Sequence, residues 1–83
     1  MDQLILGIIG RNPSTSSDII VSIFREHGVI FSSGVLHPLL DFLELEGLIE
    51  ARRMEKRKVY FLTAKGKEEI KNFLTHQIST PAK

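Results

Sequence analysis

Eighty-three residues, 42% hydrophobic and 25% charged, predict one small domain with a modest core. Without cysteine the chain has neither a disulfide framework nor a thiolate metal site, which is compatible with a reducing compartment. The net charge of +1 hides an asymmetry: residues 1–47 carry two basic and six acidic side chains (−4), whereas residues 48–83 carry nine basic and four acidic (+5).

In chain order, Asp2 can cap a first helix in which Leu4, Ile5, Ile8 and Ile9 recur at the spacing of one helical face. The apolar run is too short to span a bilayer, and an acidic residue stands where a signal peptide would be basic. The segment therefore reads as a core helix of a soluble, cytoplasmic protein, ended by Gly10, Asn12 and Pro13. Thr15 and Asp18 have capping-box spacing, and a second helix follows with Ile19, Ile20, Ile23 and Phe24 inward, up to His27 and Gly28. Val29 to Phe31, β-branched and aromatic, reads as a short strand that joins a later hairpin. Ser32 or Ser33 then caps a third helix, with Leu36, Leu39, Leu40, Leu43 and the nearby Phe42 inward. Pro38 inside it predicts a bend or an irregular first turn, and Gly47 ends it.

Leu48 to Met54 and Lys58 to Leu62 are predicted strands around a tip of Glu55, Lys56 and Arg57. Thr63 caps a last helix with Ile70, Phe73, Leu74 and Ile78 at helical spacing. The expected order is α-α-β-α-β-β-α, a mainly α fold with a small β-sheet. That order is a winged helix-turn-helix, one domain over residues 1–78 followed by a frayed tail at 79–83.

Ser33, His37 and Asp41, at i, i+4 and i+8, imitate a catalytic triad in composition. An exposed ridge on one helix gives neither a buried, oriented base nor an oxyanion hole, so no enzyme is expected. His27, His37 and His76 lack ligand spacing, and no glycine-rich phosphate loop is present, so neither metal nor cofactor is expected. The specific signal is the hairpin tip, where Arg52, Arg53, Lys56, Arg57 and Lys58 surround a single acid, Glu55. Placed after a helix-turn-helix, such cations meet phosphates and release counterions. The third helix carries no Arg, Lys, Asn or Gln to read base edges. Only its N-terminal part would reach the bases, which leaves Ser32, Ser33, Val35 and His37 as groove contacts and puts Asp41 and Glu44 beyond the DNA.

The run Ser33-Gly34-Val35-Leu36-His37-Pro38-Leu39-Leu40, then Leu43 and Glu46-Gly47-Leu48-Ile49, resembles the recognition-helix pattern of the PadR family of transcriptional regulators. Val59-Tyr60 and Leu62-Thr63 with Gly66 look like its second wing strand and following helix, and Leu4-Ile5-Leu6-Gly7 and Pro13 also fit. Val35 and His37 stand where the family usually has threonine and tyrosine, and Ser16 and Ser17 replace a glycine-tyrosine pair. The resemblance implies a dimeric, double-stranded-DNA-binding repressor with Ser33, Val35 and His37 facing the groove. Eighty-three residues leave no room for the separate C-terminal dimerisation domain of longer members, so the candidates for the dimer contact are Ile70, Phe73, Leu74 and Ile78, with the first helix as a further one. The bland alternative is that this stripe packs on its own core.

The expected function is thus sequence-specific regulation of transcription by a homodimer, with the third helix in the major groove and the wing on the phosphate backbone. The alternative is a protein-interaction module that uses the acidic outer face of the third helix, Asp41 and Glu44.

Overall fold

The computed structural model describes residues 2–79, with side chains through residue 72. Four helices, α1 (Asp2–Arg11), α2 (Ser16–His27), α3 (Ser33–Leu45) and α4 (Ala64–Ser79), accompany an antiparallel pair, β1 (Ile49–Met54) and β2 (Arg57–Leu62). This is the expected winged helix with one strand fewer. Residues 80–83 of the expected tail lie outside the described residues.

Asp2 lies in the first turn of α1 rather than ahead of it, where its carboxylate still meets the positive end of the helix dipole. The buried face of α1 is Ile5, Leu6, Ile8 and Ile9, with Leu4 only partly covered. Leu6, absent from the expected stripe, is buried because α2, α4 and β2 enclose α1 from several sides. At the start of α2 the capping box forms as expected: the Asp18 amide donates to Thr15 Oγ1 and the Thr15 amide to the Asp18 carboxylate, both at 3.1 Å. Gly28, at φ 71°, closes α2 through its amide, which donates to the Phe24 carbonyl at 2.8 Å. Ile19 and Ile23 carry the buried face, whereas Phe24, expected inward, is 53% exposed.

The predicted strand at Val29 to Phe31 does not form; Val29 and Ile30 are exposed, and the chain runs without regular structure into α3. The edge of β2 that such a strand would have used is occupied by Ser14. Its amide and carbonyl exchange hydrogen bonds with the Tyr60 carbonyl and amide at 3.1 and 2.8 Å. Ser14 is buried, and its hydroxyl donates to the Asn12 carbonyl at 2.7 Å, so no polar group is left unpaired there.

Ser32 is the N-cap of α3, its hydroxyl accepting from the Val35 amide at 3.3 Å. Pro38 does not interrupt the helix, which runs unbroken from Ser33 to Leu45. The Val35 amide also makes a short-range bond to the Ser32 carbonyl at 3.1 Å, a tightened first turn. Leu36, Leu40 and Leu43 are fully buried, each contributing about 2 kcal/mol by leaving water. Phe42 faces outward, 49% exposed, because the stripe at 36, 40 and 43 excludes its neighbour in sequence from the core.

The C-terminus of α3 is a Schellman turn. Gly47 has φ 79°, its amide donates to the Glu44 carbonyl at 2.9 Å, and the Leu48 amide reaches the Leu43 carbonyl at 3.0 Å. The start of α4 is fastened onto this turn. Thr63 caps α4, accepting from the Gly66 amide at 3.0 Å, and its hydroxyl donates to the Gly47 carbonyl at 2.6 Å. The Thr63 amide donates to the Leu48 carbonyl at 3.1 Å and Lys65 Nζ to the Glu46 carbonyl at 2.8 Å. Three consecutive carbonyls at the end of α3 thus accept from the head of α4, which fixes the orientation of α3.

Candidate nucleic-acid interface

The hairpin that forms the wing turns on two residues, with Met54 opposite Arg57. Arg57 therefore belongs to β2 and not to the tip, as a three-residue turn would have had it. The tip residues Glu55 and Lys56 have φ of 50° and 68°, the left-handed pair that a tight type I′ hairpin turn requires. Neither is the glycine or asparagine that adopts such angles most easily, so the tip carries backbone strain.

Register and alternation distribute the wing cations over two faces. Ile49 opposite Leu62, Ala51 opposite Tyr60 and Arg53 opposite Lys58 share one face, the one whose Ile49 and Tyr60 are buried against the helices. Glu50 opposite Phe61, Arg52 opposite Val59 and Met54 opposite Arg57 share the back. On that back face the Arg52 guanidinium lies 5.1 Å from the centre of the Phe61 ring and 3.1 Å from the Glu50 carboxylate. On the helix side, Lys58 Nζ stands 5.5 Å from the centre of the Tyr60 ring. Among the described residues Arg53, Lys56, Arg57 and Lys58 take part in no ion pair, and all are exposed. The roles of Phe61 and Glu50 went unnoticed in the sequence, although the two-residue spacing of Glu50 and Arg52 on a strand already puts them on one face.

On α3, Ser32, Ser33, Val35 and His37 are all exposed, Val35 to 54%. The Ser32 hydroxyl is occupied as an acceptor by its capping bond and keeps its proton free to donate. Val35 offers methyl groups for a thymine methyl, and His37 a ring that can donate or accept at a base edge. Asp41 and Glu44 are exposed one and two turns further on, and their charge repels phosphates from the C-terminal half of the helix. Ser33, His37 and Asp41 lie in solvent with no hydrogen bond joining them among the described residues.

Of the expected dimer residues, Ile70 is half-buried against the core. The side chains of Phe73, Leu74 and Ile78 lie outside the described residues. Among the described residues no group of His, Asp and Glu is arranged to hold a metal ion, and no helix is long and apolar enough to cross a membrane.

Residues 5–72 match the family described as the transcriptional regulator PadR-like family. Over 64 residues the chain is 33% identical to the transcriptional activator GvpE1 of Halobacterium salinarum, covering 76% of this chain but only 34% of that protein, so it spans about a third of this curated relative. The fold superposes with a TM-score of 0.87 on a PadR-like transcription factor from Bacteroides fragilis, at 27% identity over 98% of this chain and 82% of that one. With F93 from STIV, a winged-helix DNA-binding protein, the TM-score is 0.77 at 26% identity over 94% of this chain and 89% of that one.

Proposed function

The chain belongs to the PadR-like family of transcriptional regulators, and on that premise we propose that it binds operator DNA as a homodimer in the cytoplasm. The N-terminal half of α3 enters the major groove and the wing rests on the neighbouring backbone. The observation that carries this reading is the division of α3: its capped first turns expose Ser33, Val35 and His37, while Asp41 and Glu44 follow only after the groove would be left. With so few readers of base edges, DNA shape supplies part of the specificity.

The dimer contact is placed where α1 meets α4. Gly7, Gly10, Arg11, Leu62, Lys67 and Ile70 line an open concavity of about 290 Å³, and Gly7 has open space in front of it. Phe73, Leu74 and Ile78 continue the same helix. Gly7→Arg, which leaves the core untouched, is expected to give a monomer by light scattering. Occlusion of a promoter by the bound dimer gives repression, the sign implied by the sequence resemblance, whereas the relative GvpE1 is an activator. A reporter with the operator placed within or upstream of the promoter reads the sign.

Titration of a labelled duplex, first selected from a random pool, tests the main reading. Binding is expected to weaken with salt by about 0.9 log units per log unit of salt for each phosphate neutralised. Selected sites are expected to be two-fold symmetric with half-sites about one helical turn apart. Salt-independent binding, or an unstructured pool after selection, would refute it.

A second reading is favoured by Phe42 and Leu45, 49% and 84% exposed on α3 among Asp41, Glu44 and Glu46. An apolar pair ringed by acids suits a basic protein segment and can operate beside DNA binding. Leu45→Asp is expected to abolish such a contact while leaving duplex affinity intact; loss of duplex affinity instead would assign the face to DNA.

A further inference from the structure

We propose that the outer edge of β1 is a contact between copies of this chain, in which two β1 strands pair antiparallel about a two-fold axis through Ala51. This contact is separate from the one at α1 and α4 and does not depend on DNA binding. Tyr60 spends both its amide and its carbonyl on Ser14, at 2.8 and 3.1 Å. It therefore has neither left for Ala51, the residue opposite it in the hairpin. Antiparallel partners exchange both bonds or none, in alternation along the ladder. Ala51, and Arg53 two residues on, thus turn amide and carbonyl away from β2. Among the described residues no further backbone hydrogen bond reaches either of them, so β1 presents an open edge with two donor and acceptor sites in a row.

Charged side chains on an edge ordinarily guard it against another strand, so charge decides what can pair here. Residues with outward backbone groups must face one another, which leaves Ala51 opposite Ala51 or a shift of two residues either way. With Ala51 on the axis, Glu50 faces the partner's Arg52, and Arg52 faces the partner's Glu50. Within each copy Arg52 already lies 3.1 Å from Glu50 on the back of the sheet, so the four groups close a ring of alternating charge. The shifted registers set Arg52 against Arg52 or Glu50 against Glu50, and like charges directly opposite are destabilising. Antiparallel pairing also carries each cationic tip, with Lys56 and Arg57, toward the partner's turn between α3 and β1, where Glu46 is exposed. Two six-residue strands bury less than a stable interface needs, so the contact is expected at millimolar protein. Gly7→Arg is accordingly still expected to scatter as a monomer in dilute solution.

The test is made without DNA. In the wild type, amide hydrogen exchange followed from micromolar to millimolar protein is expected to slow at Ala51 and Arg53 and to stay constant at Arg52, whose amide is bonded within the hairpin at every concentration. Because the chain has no cysteine, Ala51→Cys places a single thiol on the axis. Its Cα would lie about 5.5 Å from that of its copy, within reach of a disulfide. Oxidation is expected to link two chains. Arg53→Cys, four residues along the strand from its copy and so about 13 Å away, is expected to give no link. Adding Glu50→Arg to Ala51→Cys is expected to abolish the link, and adding Arg52→Glu to both to restore it. Exchange at Ala51 and Arg53 that is independent of concentration, or linking by Arg53→Cys as readily as by Ala51→Cys, overturns the contact. A link that survives Glu50→Arg, or that the charge exchange does not restore, overturns the register about Ala51.

Discussion

The two ends of the α3-to-wing segment are built on opposite principles. At the junction of α3 with α4, a left-handed Gly47, the Thr63 hydroxyl, Lys65 and the bare Cα of Gly66 converge on three successive carbonyls. At the wing tip, two non-glycine residues sit in left-handed conformations, surrounded by exposed cations without ion-pair partners among the described residues. The first arrangement satisfies its polar groups within the protein and fixes the angle at which α3 leaves the body. The second leaves charge and strain unsatisfied, as a surface does whose partner is outside the molecule. Orientation is thus assigned to the scaffold and attraction to the wing.

The sharpest way to break this contrast is at Gly66. A Cβ there would lie 2.1 Å from the Leu48 carbonyl oxygen and 2.8 Å from Leu62 Cδ1, and the first of these is backbone that cannot rotate away. Gly66→Ala is expected to destabilise by about 3 kcal/mol, read as a fall in the urea midpoint. A neutral result would mean that α4 can slide off the turn and that the junction does not hold α3. Thr63→Val follows, removing both the cap of the Gly66 amide and the donor to the Gly47 carbonyl. It is expected to cost about 2 kcal/mol, because the hydroxyl serves two partners at once, donating to one and accepting from the other. If DNA affinity, measured well below the melting temperature, falls further than the unfolded fraction explains, the junction sets the approach angle of α3 as well as its stability.

At the wing the sign reverses. Lys56→Gly places the residue that tolerates φ 68° at the strained position and is expected to stabilise the domain by about 1 kcal/mol. The same change removes one tip cation, so duplex affinity is expected to fall while the melting temperature rises. A variant that loses both would show that the tip is not strained, and the comparison with the junction would then rest on charge alone.

What could be read from the sequence follows the range of the interactions. Capping by Thr15 and Asp18, the stops at Gly28 and Gly47 and the Thr63 cap are decided within a few residues, and all form as expected. Phe24 and Phe42 are misplaced because each adjoins a better-aligned apolar residue, Ile23 or Leu43, and periodicity cannot choose between neighbours without the packed partner. Val29 to Phe31 has strand-like composition but no edge to join, since Ser14, which carries no strand signal, takes the place along Tyr60. The wing cations were visible as a group, but their division into two faces depends on a register set by a two-residue turn whose residues, Glu55 and Lys56, do not announce it. Gly66 was visible only as part of a family pattern; its necessity comes from Leu48, eighteen positions earlier in the chain.

The smallest expected effect on stability belongs to His37, and it divides the interface most cleanly. Its ring is exposed on the second turn of α3 and makes no hydrogen bond among the described residues, so His37→Ala is expected to change folding stability by less than about 0.5 kcal/mol. On the proposed reading the wing cations meet phosphates, which are the same at every step, so their removal is expected to lower affinity for all duplexes together. On the same reading His37 meets a base edge, so its loss is expected to flatten preference at one or two base pairs in each half-site by about 1 kcal/mol while leaving the salt slope unchanged. Selection from a random duplex pool with His37→Ala and Lys58→Gln in parallel measures both. If His37→Ala returns the wild-type consensus at lower affinity, the histidine is a backbone contact and specificity passes to Ser33, Val35 and the shape of the DNA.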